Sequence, residues 1–410
     1  MHDGPRVPML DLSPALAELR SDVDAAIRRV LDHTRFVLGD EVERFEQAFA
    51  REVGARHAIA CASGSDALLL SLMALDVGPG DQVVCPSFSF FATAAAIARL
   101  GATPVFADVD ARTACLDPQS AADAARACSS LRAIVAVHLF GDCAPSEALA
   151  DVAARAGAAL VHDAAQAAGA RDASGRSVGA RGELAAWSFY PSKNLGALGD
   201  GGAITTDDDV RAARLRALRV HGARARYRHD ELGINSRLDA LQAAVLSVKL
   251  PHLERWITER TAIADDYDAR LGGCAALRLP ARPAPPARHA RHQYVVRAPA
   301  TLRDALRDAL DARGIETAAY YAAPLHAQRA LRGRALAPVA LDATERLAAE
   351  VVALPIYPGL APAARARVVD ALLDALASLG AGDAIGAADT DGSGDAREGD
   401  ARGRAGSARA

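Results

Sequence analysis

Between about residues 58 and 206 the chain alternates short apolar runs with longer stretches rich in alanine and leucine. The runs His57–Cys61, Gln82–Cys85, Thr103–Phe106, Ala133–Val137, Ala158–Val161, Leu184–Phe189 and Gly202–Thr205 read as strands, and 66–75, 91–99, 119–127 and 145–156 read as helices between them. Short strands alternating with helices predict an α/β domain built on a mainly parallel sheet. Upstream, Val42, Phe45, Phe49 and Val53 recur near helical spacing, with Glu41, Glu43 and Arg44 on the opposite side, so 36–53 reads as an amphipathic helix.

Downstream, helices are expected at 208–220 and 236–249, the second stopping before Pro251, with a long one following to about 271. The proline-rich bridge 280–288 leads into a second α/β unit with a strand at Gln293–Arg297, a helix at 301–313 and a final helix at 362–378. From Gly380 the chain is glycine, alanine, aspartate, serine and arginine, with almost no large apolar residue. Such a tail buries too little surface to offset its ordering entropy and is expected to be disordered. The pattern therefore divides the chain into 1–255, 256–379 and a tail at 380–410. No internal repeat is visible.

Composition narrows the function classes. With 410 residues, 51% hydrophobic and 24% charged, the chain has ample material for a large core. A net charge of -4 gives no electrostatic case for nucleic acid or an anionic membrane, and 4% aromatics offer no stacking platform for single strands. No run approaches a membrane span, and Met1 to Pro5 begins no apolar signal segment. The six cysteines form no C-x-x-C pair. Reduced, mostly buried thiols and a cytoplasmic location are expected, with no metal site.

Four segments carry candidate chemistry. Ser188-Phe189-Tyr190-Pro191-Ser192-Lys193 sets an amine between an apolar strand and a glycine-rich turn. A lysine held there can form a Schiff base with an aldehyde cofactor, and burial would make it nucleophilic. Ser63-Gly64-Ser65-Asp66 follows a strand and opens a helix, so the amides of Gly64, Ser65 and Asp66 could cradle a phosphate. Asp163 stands at a strand's carboxyl end, where a carboxylate can hold a pyridine nitrogen protonated, and Gln166 follows three residues on. Pro86-Ser87-Phe88-Ser89-Phe90-Phe91-Ala92-Thr93 clusters aromatics, one of which could stack on a flat ring. Taken singly, each has an ordinary explanation: a surface lysine, a helix cap, another cap, and core packing. Their conjunction in strand order is what points to one site.

At these residues the chain resembles the DegT/DnrJ/StrS family of pyridoxal 5'-phosphate (PLP)-dependent sugar aminotransferases, which have the aspartate-aminotransferase fold (fold type I). The likeness covers about residues 8 to 378. It also rests on Gly78-Pro79-Gly80-Asp81, Val137-His138-Leu139-Phe140-Gly141, Asp163-Ala164-Ala165-Gln166 and the run Asn235-Ser236-Arg237-Leu238-Asp239-Ala240-Leu241-Gln242-Ala243-Ala244. The resemblance implies a large domain with a seven-stranded sheet sandwiched by helices, and a smaller C-terminal α/β domain.

It also implies residue roles. Lys193 would carry PLP as an aldimine and shuttle protons, Asp163 would face the pyridinium and Gln166 the ring oxygen. Phe90 would stack on the ring, and Gly64, Ser65 and Ser188 would hold the phosphate. Asn235 would reach the phosphate of the neighbouring subunit, making a homodimer. Tyr190, Tyr321 and His326 would line a sugar pocket. His162 stands where the family usually has glutamate, and Tyr320 where histidine is frequent, which leaves the sugar contacts open.

The implied reaction moves an amino group from an amino acid, expected to be L-glutamate, to a ketosugar nucleotide. The 229–239 run and Tyr320-Tyr321 with Pro324-Leu325-His326 look more like members acting at C3 than at C4. Rivals are a C4-keto sugar or cyclitol aminotransferase, a PLP-binding regulator without turnover, and a sugar dehydratase. The last has histidine in place of the lysine.

Overall fold

The computed structural model describes residues 5–182 and 184–381. Nearly all of the expected tail lies outside the described residues. The main sheet contains β1 (His57–Cys61), β2 (Gln82–Pro86), β3 (Thr103–Ala107), β4 (Leu131–Val137), β5 (Ala159–Asp163), β6 (Leu184–Ser188) and β7 (Gly202–Thr206), in the order β1-β7-β6-β5-β4-β2-β3. The β3-β2-β4-β5-β6 block is parallel, whereas β7 runs antiparallel to both neighbours. The strands are almost wholly buried, which explains why they read as continuous apolar runs instead of alternating ones.

Helices cover both faces. They are α1 (Ser13–Glu18), α2 (Arg20–His33), α3 (Asp40–Val53), α4 (Gly64–Met73), α5 (Phe91–Arg99), α6 (Pro118–Arg126), α7 (Ser146–Arg155), α8 (Asp209–Leu218) and α9 (Ala240–Lys249). One layer packs Phe45 and Phe49 of α3 against Trp187 and Phe189, and another packs Leu68, Leu70 and Leu72 of α4 with Ile97 of α5. The sequence pattern starts α3 at residue 36; the helix begins at Asp40, because Leu38 and Gly39 have φ of 56° and 81° and break the spiral. Helices α1 and α2 escaped the pattern reading.

The hairpin of β8 (Ala223–Ala225) and β9 (Arg228–His229) precedes α9 and leaves Tyr227 83% and Leu232 94% exposed. Beyond it, α10 (Leu253–Leu271) serves two cores. Its first turns, with Trp256 and Ile257, pack on the main-sheet helices. Its last turns, with Ile263, Tyr267 and Leu271, join a separate core with the antiparallel pair β10 (Tyr294–Arg297) and β11 (Val351–Leu354). Position 255/256 thus falls inside one continuous helix. The second core also takes in α11 (Arg303–Ala312) and α13 (Pro362–Ser378), while α12 (Asp342–Glu350) leads into β11; the sequence reading had placed neither α12 nor β11.

Among the described residues all six cysteines are free, and none of the helices is long and apolar enough to cross a membrane.

Candidate active site

The carboxyl ends of β1, β4, β5 and β6 converge on a cavity of about 720 Å³. Crevices beyond strand ends are where parallel sheets place their ligands. Gly64, Ser65, Phe90, Asp163, Gln166, Ser188, Tyr190, Lys193, Tyr320 and Tyr321 all line it. Ten of the thirteen residues singled out in the sequence therefore meet; Asp66, Asn235 and His326 do not.

Lys193 owes its place to a tight turn. Its amide donates to the Tyr190 carbonyl at 2.8 Å, with Pro191 pre-setting the bend. Gly196 then crosses so near that an added Cβ would lie 2.4 Å from the Pro191 carbonyl oxygen, so only glycine fits. Asn194 pins the segment from below, its Nδ2 donating to the Ala290 carbonyl at 2.8 Å. Burial lowers the Lys193 amine to about 8, against the opposing pull of the Asp163 carboxylate. The chain has one other lysine, Lys249, also lowered to about 8 by burial, with Nζ donating to the Gly196 carbonyl.

Asp163 is 5% exposed. Its Oδ2 accepts from Thr93 Oγ1 at 2.8 Å and its Oδ1 from the Ala165 amide at 3.2 Å. Burial raises its pKa in spite of both bonds and the nearby Lys193. Gln166 is oriented at both ends: Oε1 accepts from the Phe140 amide at 2.6 Å and Nε2 donates to the Tyr321 hydroxyl at 2.9 Å. Tyr321 is held at φ 63°, a left-handed conformation costly for an aromatic residue and typical of functional positions.

The α4 N-terminus supplies an anion cradle. The Ser63 hydroxyl caps it by accepting from the Asp66 amide at 3.1 Å. This departs from the expectation for Asp66: its amide is taken by the cap, and its carboxylate accepts from Ser236 Oγ at 2.8 Å, away from the cavity. The amides of Gly64 and Ser65 remain in the first turn, where no intrahelical acceptor exists. A Cβ at Gly64 would lie 2.6 Å from Ser188 Cβ, so glycine lets the helix end and the Ser188 strand end close together.

Asn235 lies outside the cavity lining, in a main-chain bridge with Val220. His326 is held off the cavity wall: Nδ1 pairs with Ser87 Oγ and Nε2 with Glu345, each at 2.7 Å.

The structure adds residues that the sequence reading left unassigned. Thr93 orients Asp163 and sits inside an aromatic motif that drew attention to its rings instead. His138 lines the cavity; its Nδ1 accepts from the Ala144 amide at 3.1 Å, so Nε2 carries the hydrogen and donates to His162 Nδ1 at 2.9 Å. His292 and Gln293 complete one wall. Burial and the Lys193 charge keep His292 well below its ordinary pKa, hence neutral.

This donor set fits a phosphorylated pyridine aldehyde. The helix end suits its phosphate, the buried acid its ring nitrogen, the amine of lowered pKa its carbonyl and the Phe90 face its ring. Among the described residues no cluster of His, Cys, Asp or Glu is placed to hold a metal.

Comparison with known proteins agrees with this geometry. Residues 17–373 match the DegT/DnrJ/EryC1/StrS aminotransferase family. The chain is 45% identical over 368 residues to a dTDP-3-amino-3,4,6-trideoxy-alpha-D-glucose transaminase of Streptomyces venezuelae, covering 90% of this chain and 96% of that one. It is 42% identical to a pleiotropic regulatory protein of Geobacillus stearothermophilus, covering 90% and 98%. It is 41% identical to a UDP-N-acetyl-3-dehydro-alpha-D-glucosamine 3-aminotransferase of Acidithiobacillus ferrooxidans, covering 88% and 96%. The crystal structure of S. venezuelae DesV with a ketimine intermediate superposes with a TM-score of 0.86 at 45% identity, covering 90% and 98%. The fold is thus that of PLP-dependent aminotransferases, and the chain belongs to the DegT/DnrJ/EryC1/StrS aminotransferase family.

Proposed function

We propose that the protein is a PLP-dependent aminotransferase that moves an amino group from L-glutamate to C3 of a nucleotide-linked ketosugar. The observation that carries this reading is the pair at the cavity floor: an amine lowered to about 8 and a carboxylate whose proton affinity burial has raised. Amination at C3 is supported by the printed activities of the S. venezuelae and A. ferrooxidans relatives.

When bound, the cofactor supplies an electron sink for the carbon that carries the amine. The protein's residues do the rest. Lys193 Nζ would hold the cofactor's aldehyde carbon and, as a free neutral amine, would move the proton of the amino donor's α-carbon. With its pKa near 8, a substantial fraction of that amine is neutral at neutral to mildly alkaline pH. Asp163 would pair with the protonated ring nitrogen, and the Thr93 hydroxyl and Ala165 amide fix the orientation of its carboxylate. Gln166, held by Phe140 and Tyr321, would present its amide to the ring oxygen. Gly64, Ser65 and Ser188 would hold the phosphate and Phe90 would pack on the ring. Tyr190, Tyr320 and Tyr321 border the space left for the sugar. Asn235 reaches the phosphate of a second subunit, so the active unit is a homodimer. Its position outside the cavity of its own chain is consistent with this role.

The test is a two-stage assay on the purified, PLP-loaded protein. L-glutamate alone should shift the cofactor absorbance from the aldehyde to the amine form, and a 3-ketosugar nucleotide should restore it with release of an aminosugar. A protein that holds the cofactor but shows neither shift would be a regulator without turnover.

A further inference from the structure

Lys193 and Lys249 are the only lysines in the chain, and they meet at one turn. Lys249 is the last residue of α9. Its half-buried Nζ donates to the carbonyl of Gly196, three residues beyond Lys193. Nζ also lies 5.9 Å from the centroid of the Trp256 ring, and among the described residues it makes no ion pair. Seven residues earlier on α9, two turns back along the same face, Gln242 Oε1 accepts from the Leu198 amide at 2.8 Å. One helix thus grips the chain at both Gly196 and Leu198. That helix is a firm support. Ala240 and Ala244 pack on Ala26 and Val30 of α2, and Ala243 and Leu246 join the core around Phe45 and Trp187. The Ala240 amide donates to the Phe36 carbonyl at 3.0 Å.

We propose that Lys249 is a positioning residue for Lys193: with Gln242 it clasps the outgoing limb of the turn to α9 and fixes where the reacting amine enters the cavity. The assignment rests on the reading above that Lys193 is that amine. Gly196 is the sensitive point, because there the limb crosses the Pro191 carbonyl with no room for a side chain. Among the described residues no main-chain amide donates to the Gly196 carbonyl, so Lys249 is what directs it. Lys193 reaches the cavity on a flexible four-carbon stem, so a shift of the turn is carried to Nζ. A misplacement of about 1 Å can slow a reaction about 10²-fold. Burial lowers Lys249 to about 8, so the fold withdraws this ammonium from water instead of leaving it on the surface. The competing role is packing alone, with the stem filling the seam beside Trp256. Lys249→Met separates the two, since it keeps an unbranched apolar stem and removes the donor.

Two measurements on the full-length protein test this. The first is amide hydrogen exchange before PLP is added, read by mass spectrometry. In Lys249→Met, peptides covering 193–199 should exchange about tenfold faster, as expected for the loss of one hydrogen bond from a charged donor. Peptides from β4, β5 and the second core should exchange as in the wild type. The second is the absorbance change of the PLP-loaded protein with L-glutamate. Its limiting rate should fall about 10- to 10²-fold, while the glutamate concentration giving half the limiting rate stays near the wild-type value. Lys249→Arg keeps a charged donor and should recover most of both losses. Gln242→Ala opens the same clasp at Leu198 and should shift both readouts the same way by less, which keeps the test open if Lys249→Met does not fold.

The proposal is overturned if exchange at 193–199 is unchanged in Lys249→Met, or if it quickens while the limiting rate holds. It is also overturned if exchange rises across the whole chain with a lower thermal midpoint and an unchanged limiting rate, which would make Lys249 a packing residue. Failure of the underlying reading is visible separately: Lys193→Ala would still react with L-glutamate, whatever the Lys249 variants do to exchange in the turn.

Discussion

Two buried acid–base pairs lie on either side of the main sheet, and they are built in opposite ways. Glu46 of α3 and Arg219, just after α8, are each 7% exposed. Glu46 Oε1 accepts from the Ala60 amide at 2.8 Å and from Arg219 Nη1, which also donates to the Ala60 carbonyl at 2.7 Å. The pair closes on itself and on β1, tying helix to strand. Asp163 is 5% exposed and Lys193 is half-buried at the cavity, and desolvation dominates both: the acid is raised and the amine lowered. Lys193 Nζ has no hydrogen bond among the described residues. A closed pair spends its charge on the fold, whereas an open pair keeps it for a ligand.

The comparison breaks first at Lys193. Lys193→Ala should abolish detectable turnover while leaving the thermal midpoint of the cofactor-free protein near that of the wild type; measurable transamination would undo the assignment. Asp163→Ala should cost about 10²- to 10³-fold in kcat, the usual loss when one group that stabilises developing charge is removed. Steady-state rates on folded, cofactor-saturated protein check this, and near wild-type kcat would count against a role at the ring nitrogen.

On the other side of the sheet the pattern should invert. Glu46→Ala strands a buried guanidinium and should lower unfolding free energy by about 3–5 kcal/mol in urea titrations, with kcat per folded molecule unchanged. A large loss of kcat without a loss of stability would erase the distinction.

The smallest effect is in pH. Lys193 titrates near 8 in the folded state against an ordinary 10.5. Between those values the unfolded chain binds more protons, so this residue's contribution to stability rises with pH across that window and is least favourable below about 8. The difference in unfolding free energy between cofactor-free wild type and Lys193→Met should therefore drift in favour of the wild type from pH 8 to 10. Parallel curves would place the amine in water.

Much of the site was legible because its parts sit at strand ends. Apolar runs such as Leu184 to Phe189 mark where a parallel strand stops, and the next polar residue is then a candidate for the cavity. What stayed hidden depends on contacts between distant segments. Thr93 and Asp163 are 70 residues apart and meet only because the first turn of α5 reaches the carboxyl end of β5. His292 and Gln293 reach the wall through a chain segment from the second core, whose docking on Phe140 and Gly141 no local pattern encodes. At Asp66 a helix N-terminus offers several amides, and sequence does not say which one the Ser63 cap consumes. Helices α1 and α2 were missed since their buried residues, Val23, Ala26 and Val30, are few and small.

The chain's shortage of lysine makes the central claim unusually easy to test. Borohydride reduction of the PLP-loaded protein, followed by peptide mass mapping, should place the pyridoxyl mass on the peptide containing Lys193. Recovery of the label on Lys249 or on the terminal amine, or of no label at all, would contradict the account.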